Sequence, residues 1–253
     1  MRVVIVGAAG RMGGALREAL SAWPNATLVG AIDREADAAH GITTDLDAAL
    51  VNADVMIDFS SPATTASNLE RCARRGVAAL IGTTGLSADI ERAADAASRR
   101  IPVLIAANTS LGVTLLLELV KAAARALPDE FDVEITEAHH KLKKDAPSGT
   151  ALALGRAVAE GRGRSFEAVR GAPREGEAPR KAGEIGFAVI RAGDLAGEHT
   201  VLFAGEGERL TLGHEATDRR IFARGAVKAA SWLVGRPAGR YQMADVIGLK
   251  TIS

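Results

Sequence analysis

The chain has 253 residues, 47% of them hydrophobic, which suits a globular protein with one large domain or two small ones. Its 31 basic and 31 acidic side chains leave no net charge, whereas a general nucleic-acid binder usually carries a broad basic excess. The apolar runs are too short for a signal peptide or a membrane span, and a single cysteine excludes an internal disulfide, so we expect a cytoplasmic protein without membrane or nucleic-acid partners.

Short apolar runs alternate with Ala-rich helical patterns along the first 110 residues. Apolar strands that alternate with helices indicate βαβ units, and therefore a parallel sheet that is buried on both faces. We predict a first domain of the α/β class with a Rossmann-type doubly wound sheet. Its strands are expected at 2–7, 27–32, 54–60, 77–82 and 101–107, and its helices at 11–22, 62–75 and 87–99.

The pattern changes after a predicted helix at 111–127, which Pro128 ends. Apolar and polar residues then alternate, as in strands with one buried face, and indicate an antiparallel or mixed sheet. These strands are expected at 131–140, 185–193, 197–205 and 208–216, with a mobile surface loop at 161–183 and a final amphipathic helix at 221–235. We predict a dinucleotide-binding domain at 1–109 and 221–253, and an α+β domain with a mixed sheet at 110–220 for substrate binding and oligomerisation.

A glycine-rich turn, VGAAGRMGG, follows the first predicted strand and leads into a helix. Gly7, Gly10 and Gly13 allow a tight turn and let a pyrophosphate approach the backbone N–H groups at the helix start. Asp33, at the end of the second strand, would accept hydrogen bonds from the ribose hydroxyls of a dinucleotide, whereas Arg34 beside it would attract a 2′-phosphate. The turn therefore predicts NADH or NADPH as cofactor, and leaves the choice between them open.

Two further loops end the fourth and fifth predicted strands, GTTG at 82–85 and AANTS at 106–110. Ligands of open α/β sheets lie outside the carboxyl ends of the strands. We therefore expect these loops to line the nicotinamide end of the cofactor site, although the same strings also occur in ordinary turns.

The segment EAHHKLKKDAPSGTAL, residues 137–152, concentrates cationic groups and N–H donors. It begins where a strand ends, and its Ser-Gly-Thr turn starts a helix, whose N-terminal N–H groups suit a carboxylate or a phosphate. Lys141, Lys143 and Lys144 add positive charge, and His139 and His140 titrate near neutrality. Together they predict a site for a small polyanion, most simply a carboxylate, with a proton donor beside it.

Other interpretations of these residues carry weight. Each lysine, taken singly, is better explained as solvated surface charge. Adjacent histidines can bind a metal ion, but neighbouring strand residues point to opposite faces, and no carboxylate or cysteine lies at a supporting spacing, so we predict no metal site. Cys72 lies in a helical pattern without a context that would activate its thiol, and we expect it to be structural.

With these residues in view, the sequence resembles the 4-hydroxy-tetrahydrodipicolinate reductase family of the lysine and diaminopimelate pathway. The resemblance covers nearly the whole chain, and its histidine-lysine segment is highly specific to that family, whereas the glycine turn is not. The strings that carry it are VGAAGRMG, IDFSSP, IGTTG, EAHHKLKKDAPSGTA, GFAVIRAGD, GEHTVLFAGEGERL and FARGAVKAASWL.

The resemblance implies an NAD(P)H-dependent oxidoreductase, a dicarboxylate substrate and a homotetramer. It implies that His139 is the acid/base and Lys143 its catalytic partner. The implied substrate-binding residues are His140, Lys143, Ser148, Gly149 and Thr150. The implied cofactor-binding residues are Gly7, Ala8, Ala9, Gly10, Arg11, Met12, Asp33, Arg34, Gly82, Thr83, Thr84, Ala106, Ala107, Asn108 and Thr109. One position departs from the family, which commonly has Asn-Phe-Ser where this chain has Asn-Thr-Ser, so Thr109 removes a ring from the cofactor site.

Two competing functions follow from the same sequence. Another two-domain dehydrogenase of amino acids or sugars is supported by the glycine turn alone. A non-catalytic NAD(P)-sensing protein would keep the fold, but it would not need a proton donor beside the Ser-Gly-Thr turn. The residues also leave open whether loss of water from a hydroxylated substrate is catalysed by this chain.

Overall fold

The computed structural model describes residues 1–249, so the part of the predicted first domain at 250–253 lies outside the described residues. The chain divides into two compact units, one formed by Met1–Leu111 with Arg220–Gly248 and the other by Gly112–Arg219. Each unit has its own sheet. No helix within residues 1–249 is long and apolar enough to cross a membrane.

The strands, in chain order, are β1 (Arg2–Val6), β2 (Thr27–Ile32), β3 (Ile42–Thr43), β4 (Val55–Asp58), β5 (Ala78–Ile81), β6 (Pro102–Ile105), β7 (Asp132–His139), β8 (Ile185–Arg191), β9 (Glu198–Ala204), β10 (Arg209–Glu215) and β11 (Gly239–Tyr241). The helices are α1 (Arg11–Ser21), α2 (Leu46–Leu50), α3 (Pro62–Arg75), α4 (Ala88–Ser98), α5 (Leu111–Ala126), α6 (Gly149–Gly161), α7 (Phe166–Val169), α8 (Arg220–Leu233) and α9 (Met243–Val246). All predicted strands and helices are present. The sequence missed β3, α2, α7, β11 and α9, which are too short to show a period.

The first unit contains a parallel sheet of order β11-β6-β5-β4-β1-β2-β3. Val3 and Ile5 of β1 pack on one side in a cluster with Leu16 of α1, and Val4 packs on the other side in a cluster with Leu69 of α3. Because alternate residues point to opposite faces, one strand thus supplies both cores. The predicted doubly wound α/β sheet is confirmed, and the strand order reverses between β1 and β4, where such sheets bind ligands.

The start of α3 shows how local sequence sets an element. Ser61 is the N-cap, and its hydroxyl accepts a hydrogen bond from the N–H of Ala63 at 3.3 Å, while Pro62 begins the helix. Gly76 ends it with φ +69°. Ser87 likewise occupies the predicted N-cap of α4, without a side-chain capping bond.

The second unit contains a sheet of order β10-β9-β7-β8. Strand β7 pairs parallel with β8 and antiparallel with β9, so the predicted mixed sheet is confirmed. Val133 and Ile135 of β7 are fully buried in a cluster with Leu154 and Val158 of α6. One face of the sheet is thus covered, which is what the alternation of apolar and polar residues predicted.

Residues 161–183, predicted as a surface loop, include the helix α7. Arg174 in this segment donates to Glu134 of β7 at 2.8 Å, and Arg180 pairs with the same carboxylate. The segment therefore carries a short regular element and is fastened to the sheet by its arginines.

Candidate active site

The glycine turn follows β1 at the point where the sheet order reverses. Gly7 has φ +85°, and a Cβ there would lie 2.7 Å from the carbonyl oxygen of Phe59, so only glycine fits. Gly10 is the N-cap of α1, and as a glycine it has no side chain that could cap the helix. The first N–H groups of α1 are therefore not covered by an N-cap side chain, which is what a pyrophosphate site at a helix start needs.

Asp33 follows β2 and is tied to the glycine turn. Its Oδ2 accepts a hydrogen bond from the N–H of Ala9 at 2.9 Å, and its Oδ1 accepts one from the N–H of Arg34 at 2.8 Å. The Arg34 side chain is 88% exposed and lies 3.8 Å from Glu35. A groove of about 870 Å³ is lined by Gly7, Ala9, Gly10, Asp33, Arg34 and Glu35, among others.

A second groove of the same unit, of about 450 Å³, contains most of the other predicted cofactor residues. It is lined by Met12, Phe59, Ser60, Pro62, Gly82, Thr83, Thr84, Ala107, Asn108, Thr109 and Phe222. Three predicted residues line neither groove: Ala8 and Ala106, which are buried, and Arg11, which is exposed.

The threonine that departs from the family pattern has a defined contact. Thr109 is buried, and its hydroxyl donates to the carbonyl oxygen of Phe222 at 2.7 Å. Phe222 at the start of α8 lines the same groove, as does Phe59. The groove therefore has aromatic rings from two other positions, which the sequence did not indicate.

The buried face of β7 changes character along the strand. Val133 and Ile135 are apolar, but Glu137 and His139, next on the same face, are 1% and 8% exposed. Burial of ionisable groups is unfavourable unless they are paired and hydrogen-bonded. Glu137 and His139 therefore need polar partners at this end of the sheet.

Glu137 is the centre of the contacts at this end of the sheet. Its Oε2 accepts hydrogen bonds from Nδ1 of His139 at 2.6 Å and from Arg191 of β8 at 2.7 Å. Its Oε1 accepts from Arg191 at 2.8 Å and from the backbone N–H of Ser148 at 2.9 Å. Burial opposes ionisation of Glu137, but the bonds from Arg191, His139 and Ser148 outweigh it and lower the pKa of the carboxyl.

A third histidine, His199 of β9, lies across the strands from Glu137. Its ring is edge-on to that of His139, with centroids 5.1 Å apart, and its Nε2 lies 2.9 Å from the hydroxyl of Ser148. Burial, followed by the charge of His139, lowers the pKa of His199 to about 4, so the ring is neutral at pH 7. Ser148 is also the N-cap of α6, where its hydroxyl accepts the N–H of Ala151 at 3.1 Å.

The three lysines of the segment differ in their surroundings. The Lys143 side chain is 20% exposed, and its Nζ donates to Asp145 at 2.9 Å, which lowers the pKa of that carboxyl. Lys141 and Lys144 are exposed. The structure therefore distinguishes Lys143 from its neighbours, which the sequence alone could not do.

The two adjacent histidines also differ. Strand β7 ends at His139, so His140 lies just beyond the strand, where it is half-buried and its N–H donates to the carbonyl of Leu195 at 2.9 Å. Partial burial and the charges of Arg219 and His139 lower the pKa of His140. The lowered pKa favours the neutral form of the His140 ring.

Gly197, just before β9, lies against the ring of His139. It has φ +145°, and a Cβ there would be 3.0 Å from Nε2 of His139 and 3.3 Å from Cδ2. A side chain at this position would displace the histidine, so the backbone conformation and the close approach both require glycine.

Sequence reasoning missed four residues of this site, namely Glu137, Arg191, Gly197 and His199. Glu137 could have been found, because it lies two positions before His139 and alternate strand residues share a face. Arg191 and His199 come from other strands, and no local pattern connected them with His139. Within residues 1–249, no group of three or more His, Cys, Asp or Glu side chains is placed to hold a metal ion.

The doubly wound sheet, its glycine turn and a second unit with buried ionisable groups place the chain among the two-domain, pyridine-nucleotide-dependent oxidoreductases. Two family models match it, the N-terminus of dihydrodipicolinate reductase over residues 1–109 and the C-terminus of dihydrodipicolinate reductase over residues 112–247. The chain therefore belongs to the dihydrodipicolinate reductase family, enzymes that carry out a reduction in lysine and diaminopimelate biosynthesis.

Curated relatives agree over nearly their full length. The 4-hydroxy-tetrahydrodipicolinate reductase of Alkalilimnicola ehrlichii is 50% identical, over 98% of this chain and 99% of the relative. The protein of the same name from Zymomonas mobilis is 49% identical, over 98% of each chain. A solved structure of dipicolinate-bound dihydrodipicolinate reductase from Paenisporosarcina sp. TG-14 has a TM-score of 0.82 and 26% identity, and covers 98% of this chain and 99% of that one.

Proposed function

We propose that His139 donates the proton in the reduction of 4-hydroxy-tetrahydrodipicolinate to tetrahydrodipicolinate, and that Lys143 assists it. One observation carries this assignment. The buried ring of His139 and the N-terminus of α6 are bonded to the same carboxylate, Glu137. A proton donor and a helix end that can bind a carboxylate are thus held together in one unit. The substrate needs both, because it is a ring that takes up a proton and bears carboxylates.

The substrate carboxylates are bound by the Ser148-Gly149-Thr150 turn and by the loop before it. The start of a helix bears partial positive charge, which favours a carboxylate there. Thr150 adds a hydroxyl, and Lys143 and His140 add a cation and an N–H donor. Gly149 leaves open space where a side chain would stand, since no atom lies within 4 Å of a Cβ built there.

The cofactor is NADH or NADPH, held by the glycine turn, Asp33 and the loops after β5 and β6. The fit rests on Gly7 and Gly10, which line the groove beside Asp33 and place no side chain in it. When bound, the reduced nicotinamide would supply a hydride, which is one proton with two electrons, to the conjugated cyclic imine that remains after loss of water.

His139 then completes the reaction. Addition of the hydride leaves an electron-rich enamine carbon in the substrate ring. Nε2 of His139 gives its proton to that carbon, and the ring returns to an imine. Lys143 stabilises the charge on the reacting ring and its carboxylate, so it contributes to binding and to turnover.

Steady-state kinetics test these roles, with synthase-generated substrate and oxidation of each nucleotide followed separately. His139→Gln should lower kcat by about 10²–10⁴-fold with little change in KM, the range for a positioned general acid. His140→Gln should chiefly raise KM, and Lys143→Ala should impair both. Lys141→Ala and Lys144→Ala are the matched controls and should be mild. Near-normal turnover of His139→Gln would assign the proton to water or to another group.

We also propose that the chain is a cytoplasmic homotetramer, in which the second unit provides substrate binding and subunit contacts and the first binds the cofactor. The proposal rests on the family resemblance. Sedimentation equilibrium of the purified protein tests it, because a monomer at micromolar concentration would contradict a tetramer.

A further inference from the structure

We infer that Glu137, clamped by Arg191, is the positioning residue of the site, and that it fixes the proton of His139 on Nδ1 so that Nε2 faces the substrate. This inference rests on the proposed role of His139 as proton donor. It assigns to Glu137 and Arg191 a function in setting the pH range of the reaction, beyond holding the fold.

The tautomer follows from the hydrogen bonds. An ionised carboxylate has only acceptor oxygens, so the 2.6 Å contact with Glu137 requires Nδ1 of His139 to donate. The lowered pKa of Glu137 keeps it ionised at neutral pH. Nδ1 therefore keeps its hydrogen in both protonation states of the ring, and the proton that comes and goes is on Nε2.

Arg191 sets how strongly Glu137 favours the charged histidine. Its two terminal nitrogens donate to both oxygens of Glu137, at 2.7 and 2.8 Å, and a bidentate pair of this kind is strong and fixed in direction. The guanidinium also donates to the carbonyl of Asp145 at 2.6 Å. Arg191 therefore neutralises part of the negative charge that Glu137 presents to the ring of His139.

The other charged groups near His139 come from neighbouring elements. His199 of β9 is neutral at pH 7, because its pKa is about 4. Lys143 and His140 follow β7 in the next loop, where Lys143 is paired with Asp145 at 2.9 Å. The carboxylate of Glu137 is therefore the group that can favour the imidazolium form, and Arg191 is the cation that opposes it directly.

The same carboxylate also places the helix that binds substrate. The backbone N–H of Ser148, the N-cap of α6, donates to Oε1 of Glu137, while His139 bonds to Oε2. The two oxygens of one rigid group thus set the distance between the proton donor and the Ser-Gly-Thr turn. A glutamine at this position has one oxygen, which can still accept from Ser148, and an NH2 group in place of the second oxygen, which cannot accept from His139.

The test compares Glu137→Gln and Arg191→Met by pH profiles of kcat. Because His139 acts as an acid, activity falls as pH rises and the acid form is lost. Glu137→Gln removes the negative charge, so the fall in kcat should move to lower pH by about one unit or more, and kcat at pH 7 should be lower by about 10-fold or more. Arg191→Met removes the positive charge, so the fall in kcat should move to higher pH. KM should change by less than about threefold in Glu137→Gln, because the bond from Ser148 is kept.

Glu134→Gln is the matched control. Glu134 lies on the same strand and also pairs with two arginines, Arg174 and Arg180, but it makes no contact with His139. It should leave the pH profile of kcat unchanged. Shifts in the same direction for Glu137→Gln and Arg191→Met, or no shift in either, would overturn the inference. If Glu137→Gln does not fold, Arg191→Met alone decides by the direction of its shift.

The tautomer itself can be read in the unmodified enzyme from long-range ¹H–¹⁵N correlations of the histidine rings, with His139→Gln identifying the resonances. At high pH, the neutral ring should carry its hydrogen on Nδ1, and an Nε2–H tautomer would refute the inference. This readout does not depend on turnover. An enzyme that failed to reduce the substrate would contradict the proposed function and leave the tautomer result standing.

Discussion

Replacement of Gly197 by alanine is a direct test of how closely the proton donor is held. A Cβ at this position would lie 3.0 Å from Nε2 of His139, and ordinary contacts of such atoms begin near 3.4 Å, so the ring must move by a few tenths of an ångström. The ring cannot move freely, because the 2.6 Å bond to Glu137 holds its other nitrogen. Gly197→Ala should therefore strain that bond or turn the ring away from the substrate.

Two magnitudes follow. The backbone conformation at φ +145° is unfavourable for alanine and should cost about 1–3 kcal/mol of unfolding free energy. A displacement of catalytic groups by about 1 Å can cost 10²-fold in rate, so a shift of a few tenths should lower kcat by roughly 3- to 30-fold. The KM for substrate should change little, because the Ser-Gly-Thr turn is not displaced.

Gly193→Ala is the control, because Gly193 also has a positive φ, +49°, but no atom lies within 4 Å of a Cβ built there. Both variants should lose stability in urea titrations, and only Gly197→Ala should lose turnover in steady-state assays with saturating cofactor. Equal turnover in the two variants would refute the argument that Gly197 is required by the ring of His139.

Three further predictions concern other parts of the site. Thr150→Val should weaken competitive inhibition by pyridine-2,6-dicarboxylate by about 1–3 kcal/mol through loss of a donor, and an unchanged inhibition constant would remove Thr150 from the site. We expect less than about a tenfold preference between NADH and NADPH, and Arg34→Ala should raise the KM for NADPH far more than that for NADH, whereas equal effects would show that Arg34 does not face the ribose. The lowered pKa of His199, about 4, implies that stability is full above pH 6.5 and falls as the pH decreases, by roughly 2 kcal/mol between pH 7 and pH 5. Urea titrations of His199→Gln should show a correspondingly weaker loss, and an identical loss would assign the pH dependence to other groups.

The sequence was sufficient for those features that depend on local patterns. The alternation of apolar strands with helices predicted the doubly wound sheet, because the spacing of apolar residues that distinguishes a strand from a helix is visible within a short stretch of sequence. The position of the glycine turn directly after β1, and of the Ser-Gly-Thr turn at the start of α6, could be predicted in the same way. His139 was proposed from the sequence because it stands in a segment with an unusual density of donors.

The tertiary structure decided what surrounds His139. Strand register places Arg191 of β8 beside His139 and His199 of β9 beside Glu137, and register depends on pairing between segments that are far apart in the chain. The sequence does not distinguish the three lysines, and only the folded loop pairs Lys143 with Asp145. Glu137 is the centre of the site only because the fold brings these groups around it. The charge balance of a buried carboxylate depends on neighbours from several strands and not on its own sequence context.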